Sequence, residues 1–163
     1  MHSGEATAMS DILDKFHYGI YVMGVESGGE ISAMIASWVT QVSGDPEMVG
    51  VAVKKGRRTL QLLDTGKKFT LSLLGQDQAD IMDRFKGAKE IADGKINGVP
   101  YKLADNGAPV PEQCVGYIEL TLEGRLTLGN HIFCVGRVTG KHTVNGGRGL
   151  CVADLAGHVY RGK

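Results

Sequence analysis

Glycine-bearing turns cut the chain between Tyr18 and Val144 into short β-prone runs. "YGIYVMGVE" (18–26) stops at the turn "SGGE", "MVGVAVKK" (48–55) at Gly56, and "KKFTLSLL" (67–74) at Gly75. "CVGYIELTLEGRLTLGNHIFCVGRVTGKHTV" (114–144) folds back on itself around Gly129 as two long strands. Strands joined by turns of a few residues run antiparallel, because a parallel return needs a crossover of roughly a dozen residues or more. Helical segments are short: "SDILDKF" with Ser10 as cap, "GRRTLQLLDTG" capped near Thr59 and ended by Gly66, and "DQADIMDRFKG" with Asp77 as cap. The pattern predicts an all-β dominated chain of about seven or eight strands and about three short helices, closed as an antiparallel barrel rather than a doubly wound sheet.

One run does not obey the strand rule. "SAMIASWVTQVSGDP" (Ser32–Pro46) reads as a single strand ended by Pro46, and it carries the only tryptophan, Trp38. Odd positions give Ile31, Ala33, Ile35, Ser37 and Val39; even positions give Ser32, Met34, Ala36, Trp38 and Thr40. Each face mixes apolar with small hydroxyl-bearing residues, the composition of a strand covered on both sides. Strand parity puts Met34 and Trp38 on one face, packed in a core or against a planar ligand. In the next run Val49, Val51 and Val53 are expected in the core, while Gly50 and Ala52 leave room for something to lie close to the backbone. Residues 86–113 are polar and rich in glycine and proline, and read as one long loop.

Length and charge bound the function classes. The 163 residues suit one domain, expected over 10–163, with residues 1–9 a flexible leader and Met9 an internal start. Eighteen basic and eighteen acidic residues leave formal net charge zero, so nothing global favours nucleic acid or an anionic membrane. No apolar run approaches the ~20 residues of a membrane span, and the N-terminus has no apolar signal centre, which points to a cytoplasmic protein. Cys114, Cys134 and Cys151 are widely spaced and odd in number, the pattern of ordinary half-buried thiols rather than disulfides or a metal site. There is no GxGxxG after a first strand, no phosphate-loop motif, no GxSxG elbow and no HExxH.

The strongest local chemistry is "KKGRRT" (54–59), four cations and a threonine between a strand end and a helix start. Either it is a solvated basic loop, or its cations join the positive end of a helix to hold a phosphate. His131 opens a strand, and it or His158 either sits at a structural edge or faces a ligand pocket.

The order of these pieces resembles the flavin reductase-like family, the FMN-binding split barrel. "AMIASWVTQVSGDPEMV" is similar to its strand running into S-x-D/E-P-P. "GVAVKKGRRTLQLLDTG" follows as strand, polar loop and short helix. "KKFTLSLLGQDQADIMDRFKG" resembles the F-x-(V/L)-N-(V/L)-L strand and the helix ending in F-x-G. "LTLGNHIFCVGRV" resembles G-D-H-x-I-(F/V)-x-G-x-V. The resemblance covers about residues 10–160 and is closest to flavoredoxin-type proteins and the flavin reductase domain of fused flavodiiron proteins. It implies a Greek-key split barrel, a homodimer with FMN near the interface, and electron passage between NAD(P)H and flavin or a redox protein partner. It places Ile35, Ala36, Ser37 and Trp38 along the isoalloxazine, Thr40 toward the ribityl or phosphate side, and Lys54, Arg57 and Thr59 on the phosphate. Phe85 would close over the flavin or the neighbouring pocket. His131 would be the catalytic-side residue, with His158 and Tyr160 toward the nicotinamide. Where many reductases carry T-A-N-S this chain has Ile35-Ala36-Ser37-Trp38, and Asn130 stands where the family has Asp. These departures leave open an electron-transfer flavoprotein without turnover of free flavin. A heme-binding module on the same barrel has no specific support in the scattered histidines and cysteines.

Overall fold

The computed structural model describes residues 12–155. Seven strands form one antiparallel sheet: β1 (Tyr21–Ser27), β2 (Glu30–Ala36), β3 (Val39–Gly44), β4 (Glu47–Lys54), β5 (Lys68–Leu73), β10 (Gly116–Leu128) and β11 (His131–Thr143). Their order is β2-β1-β5-β10-β11-β4-β3, so β1/β5, β5/β10 and β11/β4 are joined by the long returns of a Greek key. The β1–β2 hairpin turns on Gly28 and Gly29, both at positive φ, as a two-residue turn demands.

The two outermost strands, β2 and β3, are consecutive in the chain, with only Ser37 and Trp38 between them. A seven-stranded sheet whose outermost strands are tied by two residues has to curl until the end of β2 stands beside the start of β3. The Trp38 carbonyl accepts the Ala52 N–H at 3.0 Å and fixes this seam to β4. The mixed pattern of Ser32–Pro46 is thereby explained, and the expectation of one strand is corrected: the run is two strands broken at Ser37–Trp38. Parity does not cross the break. Met34 packs against the barrel core, whereas the Trp38 ring lies beside Tyr18 and His131.

Met23, Val25, Val51, Val53, Phe69, Leu71, Leu120, Ile132 and Cys134 fill the barrel. Helix α1 (Arg58–Gly66) closes one side, burying Leu60, Leu62 and Leu63 among them. Each such large side chain, fully buried, contributes roughly 1.5–3 kcal/mol. The helix ends one residue later than glycine chemistry suggests. Lys67 takes the left-handed position at φ 65° and donates its N–H to the Leu63 carbonyl at 2.9 Å. Gly66 serves close approach instead, since a Cβ there would stand 2.1 Å from the Glu26 carbonyl oxygen. The small face of β4 is likewise not open. A Cβ at Gly50 would lie 2.2 Å from Cζ of Phe133, so an aromatic ring of β11 occupies the room expected for a ligand.

Residues 86–113 are not a structureless loop. They contain β6 (Ile91–Ala92), β7 (Lys95–Ile96), β8 (Val99–Leu103) and β9 (Pro109–Pro111), which form a second sheet in that order. Asp93-Gly94 and Asn97-Gly98, all at positive φ, make its two tight turns. With α2 (Ala79–Arg84) this sheet covers a second apolar cluster that includes Val22, Ala33, Ile35, Ile81, Phe85 and Ile96. The Thr70 hydroxyl donates to the Pro109 carbonyl at 2.8 Å, and a Cβ at Gly24 would stand 2.1 Å from that same oxygen. Gln78, not Asp77, precedes α2, and its side-chain oxygen accepts the Gly75 N–H at 2.9 Å. Of the expected N-terminal helix, Ile12–Lys15 forms a 3-10 turn, and Ser10 and the leader lie outside the described residues. Toward the other end, Gly149 and Cys151 form isolated bridges and Val152–Asp154 a 3-10 turn. Among the described residues no helix is long and apolar enough to cross a membrane.

Candidate functional site

The seam between β2 and β3 gathers the most unusual polar atom. Ser37 is 1% exposed, and its Oγ has no hydrogen-bond partner. A buried hydroxyl left unpaired costs about 1–3 kcal/mol, so its retention calls for an explanation. Beside it, the Trp38 and His131 rings meet with centroids 4.6 Å apart and planes tilted by 41°. Tyr18 lies 6.5 Å beyond Trp38, and the exposed Phe16 lies 6.2 Å beyond Tyr18.

His131 is buried at 8% exposure, placed there by the Gly129-Asn130 turn that opens β11. Its Nδ1 bonds Asn130 Oδ1 at 2.6 Å. A carbonyl oxygen only accepts, so this bond calls for a proton on Nδ1. The β4–β11 register sets His131 opposite Lys54, and the Lys55 N–H donates to the Asn130 carbonyl at 3.0 Å.

At the start of α1 the cations of "KKGRRT" divide. Arg58 pairs with Glu30 in two parallel bonds, Nε to Oε2 at 2.8 Å and Nη2 to Oε1 at 2.6 Å. That pairing holds the Glu30 carboxyl below its ordinary value and raises the Arg58 guanidinium. Thr59, 3% exposed, shares its hydroxyl with Ser32 Oγ at 3.2 Å. Arg57 is the N-cap residue of α1, Lys54 closes β4 and Lys55 follows it, so three cations precede the helix N-terminus in the chain.

A further cation joins them that the sequence reading missed. Lys89 Nζ donates to the Phe85 and Gly87 carbonyls and lies 5.7 Å from the Phe85 ring centroid. Desolvation, and then the Arg57 charge, push its ammonium below the ordinary lysine value. Two cations held near each other at a helix N-terminus repel, and an anion between them relieves the repulsion. No local signal in the sequence links Lys89 to Arg57.

The remaining candidates scatter. Ile35 and Phe85 meet in the second apolar cluster, while Ala36 faces the barrel core. Thr40 is exposed on β3 and lines a different, open cavity of about 810 Å³ with Tyr21, Val39, Val49, Tyr117 and His142. His158 and Tyr160 lie outside the described residues.

A family model described as "Flavin reductase like domain" matches residues 13–161. A diflavin flavoprotein from Synechocystis is 30% identical over 122 residues, 74% of this chain and 21% of that protein. The chain spans only about half, or about a fifth, of the length of the curated relatives it matches, 54% in one case and 21% in this one. Among solved structures, the flavin reductase of a styrene monooxygenase from Pseudomonas putida S12 is 26% identical with a TM-score of 0.71, covering 83% of this chain and 86% of that one. An FMN-binding protein from Thermus thermophilus is 28% identical with a TM-score of 0.69, covering 77% and 71%. These folds share the curled antiparallel sheet described above, and the chain is a split barrel of their kind.

Proposed function

The chain belongs to the flavin reductase like family, and on that footing we propose that it is an FMN-binding oxidoreductase passing electrons between NAD(P)H and flavin or a redox partner. The observation that carries this reading is the Ser37 hydroxyl, buried and unpaired at the seam beside Trp38 and His131. The chain itself covers that hydroxyl, so the polar edge of a flavin becomes its partner only when the side chains at the seam move aside. Ser37 and Trp38 then line the ring, and Lys54 and Arg57, with Lys89, hold the phosphate; Ile35, Ala36 and Thr59, buried in the cores or bonded to Ser32, are assigned to the flavin on the resemblance alone. Phe85 backs the pocket from the second cluster. Thr40 is not brought to this cluster. His131, its proton fixed on Nδ1 by Asn130, orients Trp38 at the entrance. His158 and Tyr160 are assigned to the nicotinamide side on the resemblance alone. Bound flavin supplies the redox chemistry, and the protein supplies orientation and tuning, so no side-chain acid or base is required for hydride delivery. A homodimer would cover the half-buried Val39, Val49 and Ile118 around the open cavity.

The test is an anaerobic absorbance spectrum of the purified chain with added FMN, before and after NADH or NADPH. A yellow protein bleached by the nicotinamide is expected. A colourless chain that takes up no FMN overturns the reading.

The Trp38–His131 contact favours a second reading, an electron carrier without free-flavin turnover. An indole in that place competes for the surface on which a nicotinamide would stack. The carrier reading predicts slow bleaching by NAD(P)H and fast exchange with a reduced redox protein. Trp38→Ala should then accelerate NAD(P)H oxidation, and an unchanged rate counts against Trp38 as the barrier.

A further inference from the structure

Away from the seam, on the face of the barrel beneath the second sheet's last turn, one imidazole and two carboxylates converge. The donor atoms of His142, Glu119 and Asp105 all lie within 4.8 Å of one another. The β10–β11 register positions the first two, setting Tyr117 opposite His142 and Glu119 opposite Gly140. His142 stacks on Tyr117 with ring centroids 4.5 Å apart at 21°, and its Nε2 meets Glu119 Oε2 at 2.7 Å. Gly140 keeps the space they occupy, since a Cβ there would stand 2.6 Å from Glu119 Oε2 and 3.0 Å from His142 Nε2. Asp105 arrives on a turn pinned to the barrel. The Asn106 N–H donates to Glu119 Oε1 at 2.7 Å, and the Asn106 side-chain amide donates to the Phe69 carbonyl at 3.0 Å.

Glu119 is only 5% exposed. Among the described residues no lysine or arginine forms a salt bridge with either carboxylate. Two carboxylates this close, one of them buried, repel; in the ion-free chain His142 Nε2 donates to Glu119 Oε2, and an incoming cation would displace that proton. A zinc-class ion holds nitrogen and oxygen donors at ~2.0–2.2 Å, which places the donors roughly 3.3 Å apart around it. The widest pair therefore needs to close by roughly 1.5 Å at most, while His142 Nε2 and Glu119 Oε2, now 2.7 Å apart, need to open slightly. One imidazole with two carboxylates is a donor set that divalent first-row ions accept. His142 also lines the open cavity of about 810 Å³, which gives an ion a route to the imidazole in the single chain.

We propose that Asp105, Glu119 and His142 form a binding site for one divalent first-row cation, clamping the turn after β8 onto the β10–β11 hairpin. His142 and His131 stand eleven positions apart on β11, about 35 Å along an extended strand at ~3.3 Å per residue, so the site is separate from the seam. The proposal does not rest on the flavin reading.

The probe is Zn²⁺ alone, added to the full-length chain after chelator treatment and followed by elemental analysis and calorimetric titration. One zinc per chain is expected, with a raised Tm. Asp105→Asn, an exposed change, and His142→Gln should each weaken zinc binding at least about tenfold. Asp105→Asn should leave the zinc-free Tm and the flavin content unchanged. Failure of the unaltered chain to bind zinc overturns the proposal. So does binding that survives both substitutions, which would mark adventitious uptake at other histidines.

Discussion

Replacing Ser37 by alanine should move stability and flavin affinity in opposite directions. In the flavin-free chain the Ser37 Oγ is buried without a partner, a state that costs about 1–3 kcal/mol. Alanine removes the hydroxyl and leaves a space smaller than a methyl group, so a net stabilisation of about 1 kcal/mol is expected. For a chain of this size that is a rise in Tm of roughly 2–4 °C. With flavin bound, the same change deletes one hydrogen bond, worth about 0.5–1.5 kcal/mol, and affinity falls about 2- to 13-fold. Ser72 supplies the control. Its Oγ is the other buried unpaired hydroxyl among the described residues, and it lies on β5, away from the seam. Ser72→Ala should raise Tm similarly and leave flavin affinity alone. Thermal melts of the flavin-stripped variants and fluorescence titration with FMN measure both quantities. A Ser37→Ala chain that melts lower than the parent, or binds FMN equally well, refutes the reasoning that Ser37 is held unpaired for the cofactor.

Gly24→Ala should drive a methyl into the Pro109 carbonyl and break the Thr70 bond to it. Overpacking of ~1–3 kcal/mol plus about 1 kcal/mol for that bond lowers Tm by roughly 4–16 °C, whereas Gly44→Ala, with nothing within 4 Å, should melt like the parent. In the folded chain at pH 8 a thiol reagent should label Cys151 alone, because Cys114 and Cys134 are buried; three labels without denaturant would contradict this. Burial pushes the Cys134 thiol up to about 11 from 9.0, so its protonated form favours folding. That contribution is complete below pH 9 and is lost as pH rises toward 11, which Cys134→Ala should remove from a urea-unfolding series. Lys89 has the opposite sign: its ammonium is lowered, so its unfavourable burial is relieved as pH approaches 10.5. Lys89→Gln should flatten that rise and weaken FMN more than riboflavin, which lacks the phosphate.

Much of the barrel is legible in the sequence because its signals are local. Gly28-Gly29 marks the first hairpin, Gly129 the last, and the leucines of α1 the buried face of the helix. The second sheet also left a signal. Asp93-Gly94 and Asn97-Gly98 are tight-turn dipeptides, but they join strands of two to five residues, too short to show alternation. The break at Ser37–Trp38 is invisible locally, because it follows from β2 and β3 pairing at opposite ends of the strand order. Phe133 over Gly50 and Lys89 beside Arg57 are likewise contacts made by topology. Of the proposed site, the types of residue were readable, and the choice among the four cations of residues 54–58 was not, since Glu30 claims Arg58 from 28 positions away.

The seam also bears on how the chain stays separate from its own copies. An open sheet of seven strands offers two edges of unpaired backbone groups, a ready template for strand-to-strand polymerisation. Here those edges belong to β2 and β3, and a two-residue tether holds the end of one beside the start of the other. Severing the chain at that tether, with every residue kept, would let the two borders move apart. The peptide bonds around Ser37 and Trp38 thus limit how far the sheet can open.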